Sequence, residues 1–196
     1  MTSDDVRPSR PMRADAVRNR AKVLEAARAA FAAEGLAVPL DEIARRAGVG
    51  AGTVYRHFPT KEALFEAVIA DQLAGLAADA ESRLSAAGDP GEQFFEFFVA
   101  LVEDAVRKAD LADALTAAGT ELRPETREAA ARLQAGLQTL LERAQHAGVV
   151  RTDVSTVDLH ALAVGALAAE RKVGVQAGGE RGKLTQIICD GLRASA

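Results

Sequence analysis

Apolar residues return every three or four positions almost from the start of the chain. From about Asp15 onward, Val17, Val23, Leu24, Ala27, Ala30 and Phe31 keep helical spacing. Gly35 stands where a glycine commonly closes a helix. Two short periodic segments follow, Leu40–Ala47 and Ala51–His57, separated by Gly48-Val49-Gly50. Asp41 and Glu42 occupy the first turn of the former, where carboxylates favour the positive end of the helix dipole. Pro59 then breaks the pattern, and Thr60 is a suitable N-cap for a long helix over residues 61–86. The clearest linker is Gly88-Asp89-Pro90-Gly91. Beyond it the spacing predicts helices over residues 91–108, 111–118, 124–146, 156–175 and 180–194, with Pro124 in a permitted first-turn position. No stretch alternates strictly with β-branched residues, so no sheet is expected. The pattern predicts an all-α protein of about nine helices.

The stretch from Leu40 to Phe58 carries the most information. Leu40, Ile43, Ala44 and Ala47 share one face of the first short helix. Ala44 has to be small where two helices cross closely. Gly48 permits the positive φ of a tight turn, and Val49 can point inward to seal it. Val54 and Phe58, four apart, give the second helix a buried stripe. Ala51, Gly52, Thr53, Tyr55, Arg56 and His57 remain outward. These side chains are small, hydroxylic or cationic, the mix that suits a helix entering the major groove and bonding phosphates and base edges. A nucleotide-binding reading of Gly48-x-Gly50-x-Gly52 fails, since no strand precedes it and the spacing is wrong. An ordinary pair of packed core helices stays open on spacing alone.

Charge sharpens the picture. Residues 1–61 hold 11 Lys and Arg against 7 Asp and Glu, a net +4 within a chain whose total is −4. A basic end on an acidic body suits a protein that presents one end to a polyanion. Hydrophobic residues at 48% and charged residues at 27% describe a globular chain rather than a disordered one. The polar N-terminus, MTSDDVRPSRPMR, is no secretory signal. The longest apolar run, residues 161–169, is far short of the ~20 residues of a membrane span. A cytoplasmic protein with no membrane partner is expected. The single cysteine, Cys189, excludes an intrachain disulfide and a Cys-rich zinc site. It reads as a small buried apolar residue.

Residues 20–64 resemble the N-terminal domain of the TetR family along their whole length, roughly a quarter of the chain. The resemblance is carried by Ala27, Phe31, Gly35, Ile43-Ala44, Ala47-Gly48-Val49, Gly52-Thr53-Val54-Tyr55, His57-Phe58 and Lys61-Glu62-Ala63-Leu64. It implies an N-terminal three-helix DNA-binding domain joined to a C-terminal helical ligand-binding and dimerisation domain. On that scheme residues 1–14 form a disordered arm, 15–60 the helix-turn-helix domain and 61–196 the body. The resemblance makes Ala51–His57 the recognition helix, with Thr53, Tyr55 and His57 against phosphates or bases and Lys61 on a phosphate. Ala51, Gly52 and Arg56 line the same surface. Arg45 and Arg46 are chemically capable of phosphate contact and equally able to stay solvated. Two departures remove possible DNA contacts: Pro39 stands where relatives often have a Thr or Ser cap, and Ala51 where many have Lys or Arg. Arg7, Arg10 and Arg13 of the arm would compensate. Deleting residues 1–13 should then weaken operator binding and flatten its salt dependence in a titration, and unchanged affinity would count against the arm.

The resemblance also implies a homodimer on a palindromic operator, released by a small-molecule effector, with no cofactor or metal. Ala161, Gly165 and Ala169 repeat every four residues, which allows close helix packing. With Leu162, Leu184 and Ile188 they are the expected dimer surface. Phe94 and Phe98, in a cluster holding four of the seven phenylalanines, are first of all core residues. They could also line an apolar effector pocket with Leu101, Leu115, Leu137 and His160. His57, His146 and His160 lie far apart with no metal spacing, and the chain holds no nucleophile elbow or phosphate loop. No enzyme is therefore expected. A helical interaction module that kept the motif but lost DNA binding remains open through Pro39 and Ala51.

Overall fold

A computed structural model describes residues 10–107, 123–175 and 182–194. Among these residues the chain forms α1 (Arg10–Glu34), a 3-10 turn (Gly35–Ala37), α2 (Leu40–Ala47), α3 (Ala51–His57), α4 (Lys61–Ser85), α5 (Pro90–Arg107), α6 (Pro124–His146), α7 (Thr156–Val175) and α8 (Lys183–Leu192). The fold is all-α, and the described residues hold no strand, only an isolated antiparallel bridge between Val150 and Arg193. The expected helix over 111–118 lies outside the described residues. Two expected limits shift. Helix α1 begins at Arg10, so the last residues of the expected disordered arm, Arg10 and Arg13 included, are helical. Pro11 sits in the first turn, where its missing N–H costs no hydrogen bond. Helix α8 spans Lys183–Leu192 rather than 180–194, because Arg193 turns to extended backbone to meet Val150.

The chain divides into two units, the first ending at Ile69 and the second beginning at Ala70. That boundary lies inside α4 rather than at its first residue, where the expected domain limit stood. The reason is packing: Leu64, Phe65 and Val68 from the start of α4 are buried in the first unit. Phe65 meets Phe31 edge-to-face with ring centroids 5.5 Å apart. Val23, Leu24, Ala27, Ala30 and Phe31 of α1 supply the rest of this core, with Leu40, Ile43, Ala44, Val54 and Phe58. The periodic stripe read from the sequence is buried from Val23 onward, whereas Val17, earlier on the same helix, is 69% exposed.

The second unit is built around α5. Phe94, Phe95, Phe97 and Phe98 are all buried, so this helix is enclosed on most of its circumference. Phe94 and Phe98 stack at 6.2 Å, and the Arg193 guanidinium lies 4.5 Å over the Phe95 ring. Glu96, on the open side, pairs with Arg83 of α4 at 2.8 Å. Leu137, Leu140, Leu141, Ala144, Leu159, Cys189 and Leu192 complete the core. Burial pushes the Cys189 thiol above its ordinary pKa, in keeping with a packing role.

Helix α6 ends in a glycine cap. Gly148 takes φ +70°, and the N–H groups of Gly148 and Val149 bond to the carbonyls of Gln145 and Ala144 at 2.9 and 3.0 Å. The chain leaving this cap pairs with the end of α8. Arg151 N–H donates to Leu192 O at 3.1 Å, and Ala194 N–H to Val149 O at 3.0 Å.

Within the second unit α6 also lies close against α4. Arg132 forks onto the Glu81 carboxylate, and Arg143 donates to Leu84 O at 2.8 Å. At the closest approach a Cβ built on Gly136 would stand 2.7 Å from the Cβ of Ala80. Gly136→Ala must therefore push two backbones apart, at a cost of about 1–3 kcal/mol. The better helix propensity of alanine returns at most about 1 kcal/mol. A melting temperature lower by a few degrees is expected from thermal unfolding followed by circular dichroism. An equal or higher one would mean that the helices separate freely.

Candidate nucleic-acid interface

The geometry of α2 and α3 follows from a few residues. Leu40, Ile43 and Ala44 bury one face of α2, and Ala44 is 2% exposed, as a close crossing requires. Gly48 ends α2 with φ +65° and ψ 33°, a conformation that strains any residue with a Cβ. Val49 N–H reaches back to Ala44 O at 3.1 Å and half-buries its side chain under the turn. Gly50 opens α3, its carbonyl accepting from Thr53 and Val54 N–H. Val54 is fully buried and Phe58 nearly so, with the Arg20 guanidinium 5.8 Å from the Phe58 ring centroid. Together they hold α3 with one side down.

The other side is open. Ala51, Gly52, Tyr55, Arg56 and His57 are exposed, and Thr53 is half-buried. Tyr55, 46% exposed, is one of the few large apolar surfaces the first unit leaves in solvent. At the N-terminal end of α3, Ala51 and Gly52 offer only backbone and a methyl group, and a Cβ built on Gly52 would meet nothing within 4 Å. Pro39 precedes α2 in extended conformation and makes no side-chain cap, since it has no hydroxyl or carboxylate to offer.

The basic residues flanking α3 are less free than their spacing suggests. Arg45 donates twice to the Glu42 carboxylate, Nε at 2.8 Å and Nη2 at 2.7 Å. Arg46 donates Nε to the same carboxylate at 2.7 Å, and its other end meets Glu34 at 2.6 Å. The hydrogen bonds from Arg45 and then Arg46 hold the Glu42 carboxyl down to about 2. Lys61 donates through Nζ to Leu36 O at 2.7 Å, tying the start of α4 to the 3-10 turn across 25 residues. An ammonium carries three donors, so Lys61 still has protons to offer a phosphate. Thr60 caps α4 through Oγ1, which accepts from Ala63 N–H at 3.1 Å. The Glu42–Arg45 and Glu42–Arg46 pairs were legible as helical three- and four-residue spacings. The Lys61 and Glu34 links join distant positions and carried no such signal.

The remaining expected site residues lie in the second unit. Phe94, Phe98 and Leu137 are buried together in its core, with Leu101 partly buried against it. His160 is exposed rather than buried with them, and Leu115 lies outside the described residues. A groove of about 390 Å³ does open on this unit between α5 and α8. Phe95, Val99, Ala100, Cys189 and Arg193 border it, and none of the expected pocket residues does. Of the expected dimer residues, Gly165 is exposed, while Leu162, Ala169, Leu184 and Ile188 are half-buried. Leu162 and Ile188 pack against the core. The large apolar groups that point outward on these helices are Val157, Val164 and Ile187, 74%, 51% and 57% exposed. Sequence reading missed Val157 and Val164, although Val157, Ala161, Val164 and Gly165 follow helical spacing on one exposed face. Among the described residues no helix is long and apolar enough to cross a membrane, and no three His, Cys, Asp or Glu side chains cluster as a metal site.

Comparison with known proteins agrees with this construction. Residues 23–68 match the family model described as bacterial regulatory proteins, tetR family. Residues 89–194, more than half of the chain, match the C-terminal domain of SbtR-like transcriptional regulators. A TetR transcription regulatory protein from Mycobacterium vanbaalenii is 48% identical with a TM-score of 0.74, over 94% of this chain and 100% of that one. The TetR regulator SCO0520 from Streptomyces coelicolor is 34% identical with a TM-score of 0.71, over 90% and 99%. The transcriptional regulator SrpR of Pseudomonas putida is 40% identical over 65 residues, which is 33% of this chain and 30% of SrpR. That last match thus spans less than a third of its relative. The matched families consist of regulators, not enzymes. With an all-α fold, a helix-turn-helix whose turn and stripe are accounted for residue by residue, and family matches across both units, the chain belongs to the TetR family of transcriptional regulators.

Proposed function

We propose that the chain is a homodimeric repressor that reads a palindromic operator through α3 and leaves it when a small-molecule effector binds the body. One observation carries the DNA reading: Val54 and Phe58 anchor α3 while Tyr55, Arg56 and His57 face solvent beside the bare N-terminal turn of Ala51 and Gly52. That surface admits the close approach a groove demands and offers donors for phosphates and base edges. Thr53 and Lys61 flank it, and Arg45 stands beside it on α2 in its pair with Glu42.

The dimer rests on a second observation. One helix-turn-helix buries too little surface for tight specific binding, so two-fold pairing on a palindrome is the usual solution. Val157, Val164 and Ile187 form apolar ground on α7 and α8 that one copy leaves in water. Ala161 and Gly165, both exposed, let a second helix come close there. Leu184 and Ala169, half-buried, would add to this surface at its edges. Effector release follows the resemblance to the family. The aromatic core around Phe94, Phe98, Leu101 and Leu137 is the apolar material from which a pocket would form. A cytosolic location follows from the same role.

The test is a fluorescence-anisotropy titration of purified protein against DNA from upstream of its own gene, at two salt concentrations. Mass is determined in parallel by ultracentrifugation. Saturable, salt-sensitive binding of one dimer per palindrome is expected. A folded dimer that ignores this DNA at low salt would leave the interaction-module reading in its place.

A further inference from the structure

The first helix of a helix-turn-helix crosses the DNA backbone while the second enters the groove. Two consecutive arginines on α2 should therefore add two phosphate contacts, and with them a large sequence-independent affinity. The arrangement of charges works against this. Glu42 takes both arginines, Arg45 through two hydrogen bonds and Arg46 through one, and Glu34 takes the far end of Arg46. Two cations and two carboxylates sum to zero on this face.

The two arginines are not equivalent. The Arg46 side chain is 33% exposed and bracketed by two carboxylates. That of Arg45 is 74% exposed, and its fork edge of Nε and Nη2 is turned to Glu42. We propose that Glu42 is a specificity-setting residue, which suppresses binding to unrelated DNA by holding Arg45 in a neutral pair on the α2 face. This rests on the DNA-binding reading above. A phosphate that approaches Arg45 must displace a carboxylate or bind beside its negative charge. The opposition is the same on every sequence. Base contacts from α3 can offset it only on the right one. The hydrogen bonds from Arg45 and Arg46 hold the Glu42 carboxyl well below the usual carboxylate range, so it is ionised at neutral pH.

Glu42→Gln tests this, because it keeps the size of the side chain and removes its charge. Arg46 keeps Glu34, so Arg45 is the cation released. Binding of a random-sequence duplex is measured by anisotropy at about 50 mM and about 200 mM salt, where each added phosphate contact contributes a slope of ~0.9. Glu42→Gln should bind more tightly than wild type at the lower salt. That advantage should shrink about 3.5-fold at the higher salt for each cation released, and about 12-fold where both subunits of the dimer engage the duplex. Adding Arg45→Gln should restore the wild-type slope. Circular dichroism checks that the helices persist, and Glu42→Ala gives the same reading should the amide disturb them. A Glu42→Gln protein with wild-type affinity and slope overturns the proposal, as does an advantage that survives Arg45→Gln. Wild type that binds no duplex at the lower salt overturns the DNA-binding reading instead.

Discussion

Phe31→Ala should destabilise the first unit by about 3–5 kcal/mol, the usual cost of deleting a buried ring, and operator binding should go with it. Phe31 is fully buried, and it meets Phe65 edge-to-face where α1 packs on the start of α4. The unit ends at Ile69, and a domain of that size buries a smaller share of its surface than a large domain does and is correspondingly marginal. With typical domains stable by about 5–15 kcal/mol in total, the loss takes much of what holds α2 and α3 in place. Thermal unfolding followed by circular dichroism should show an early transition for the variant, and the same protein should fail to shift the operator. Phe31→Leu, which keeps most of the volume, should fall between. A wild-type melt with wild-type DNA binding would show that the ring is not what joins α1 to α4.

Tyr55→Ala should do the opposite, leaving the melt unchanged while operator affinity falls about 5- to 150-fold, the range of about 1–3 kcal/mol for a residue at base edges. Tyr55 stands outward on α3, and the core beneath α3 is made by Val54 and Phe58. Lys61→Ala is the instructive contrast. Its ammonium holds Leu36 O at 2.7 Å, so truncation strips a carbonyl of its charged donor as well as removing a cation from the surface. Affinity and melting temperature should both fall. Equal effects of the two substitutions on the melt would mean that Tyr55 has a structural role. A Tyr55→Ala protein with undiminished affinity would move the reading surface away from the middle of α3.

What could be read in advance was local. The limits of α2, α3, α6 and α7 follow from spacing, proline and glycine within a few residues of each end. The turn at Gly48 needs one residue type, and that residue is there. Pairings between distant segments left no trace in the pattern. Nothing near residue 193 announces an extended bond to Val150, which is why α8 stops early. Nothing around Lys61 points to Leu36. On the body, the four-residue repeat of Ala161, Gly165 and Ala169 drew attention to a helix that does present an open apolar face. The leucines and isoleucines of α7 and α8 do not all share that face. Leu162 and Ile188 turn toward the core, because hydrophobicity alone does not tell which side of a helix already has a neighbour.

The ladder at the end of α8 restricts how that helix can travel. A slip of one residue along its axis, about 1.5 Å, would strain the bonds that join Arg151 to Leu192 and Ala194 to Val149. The Leu192 end is thus pinned by backbone bonds, whereas Thr185 and Cys189 hold the rest of α8 by burial. The Leu192 end acts as a fulcrum, and Lys183, a full helix length away, has the longest arc. Ile187 lies partway along that lever, so a small tilt at the pivot is magnified where the outward apolar groups sit.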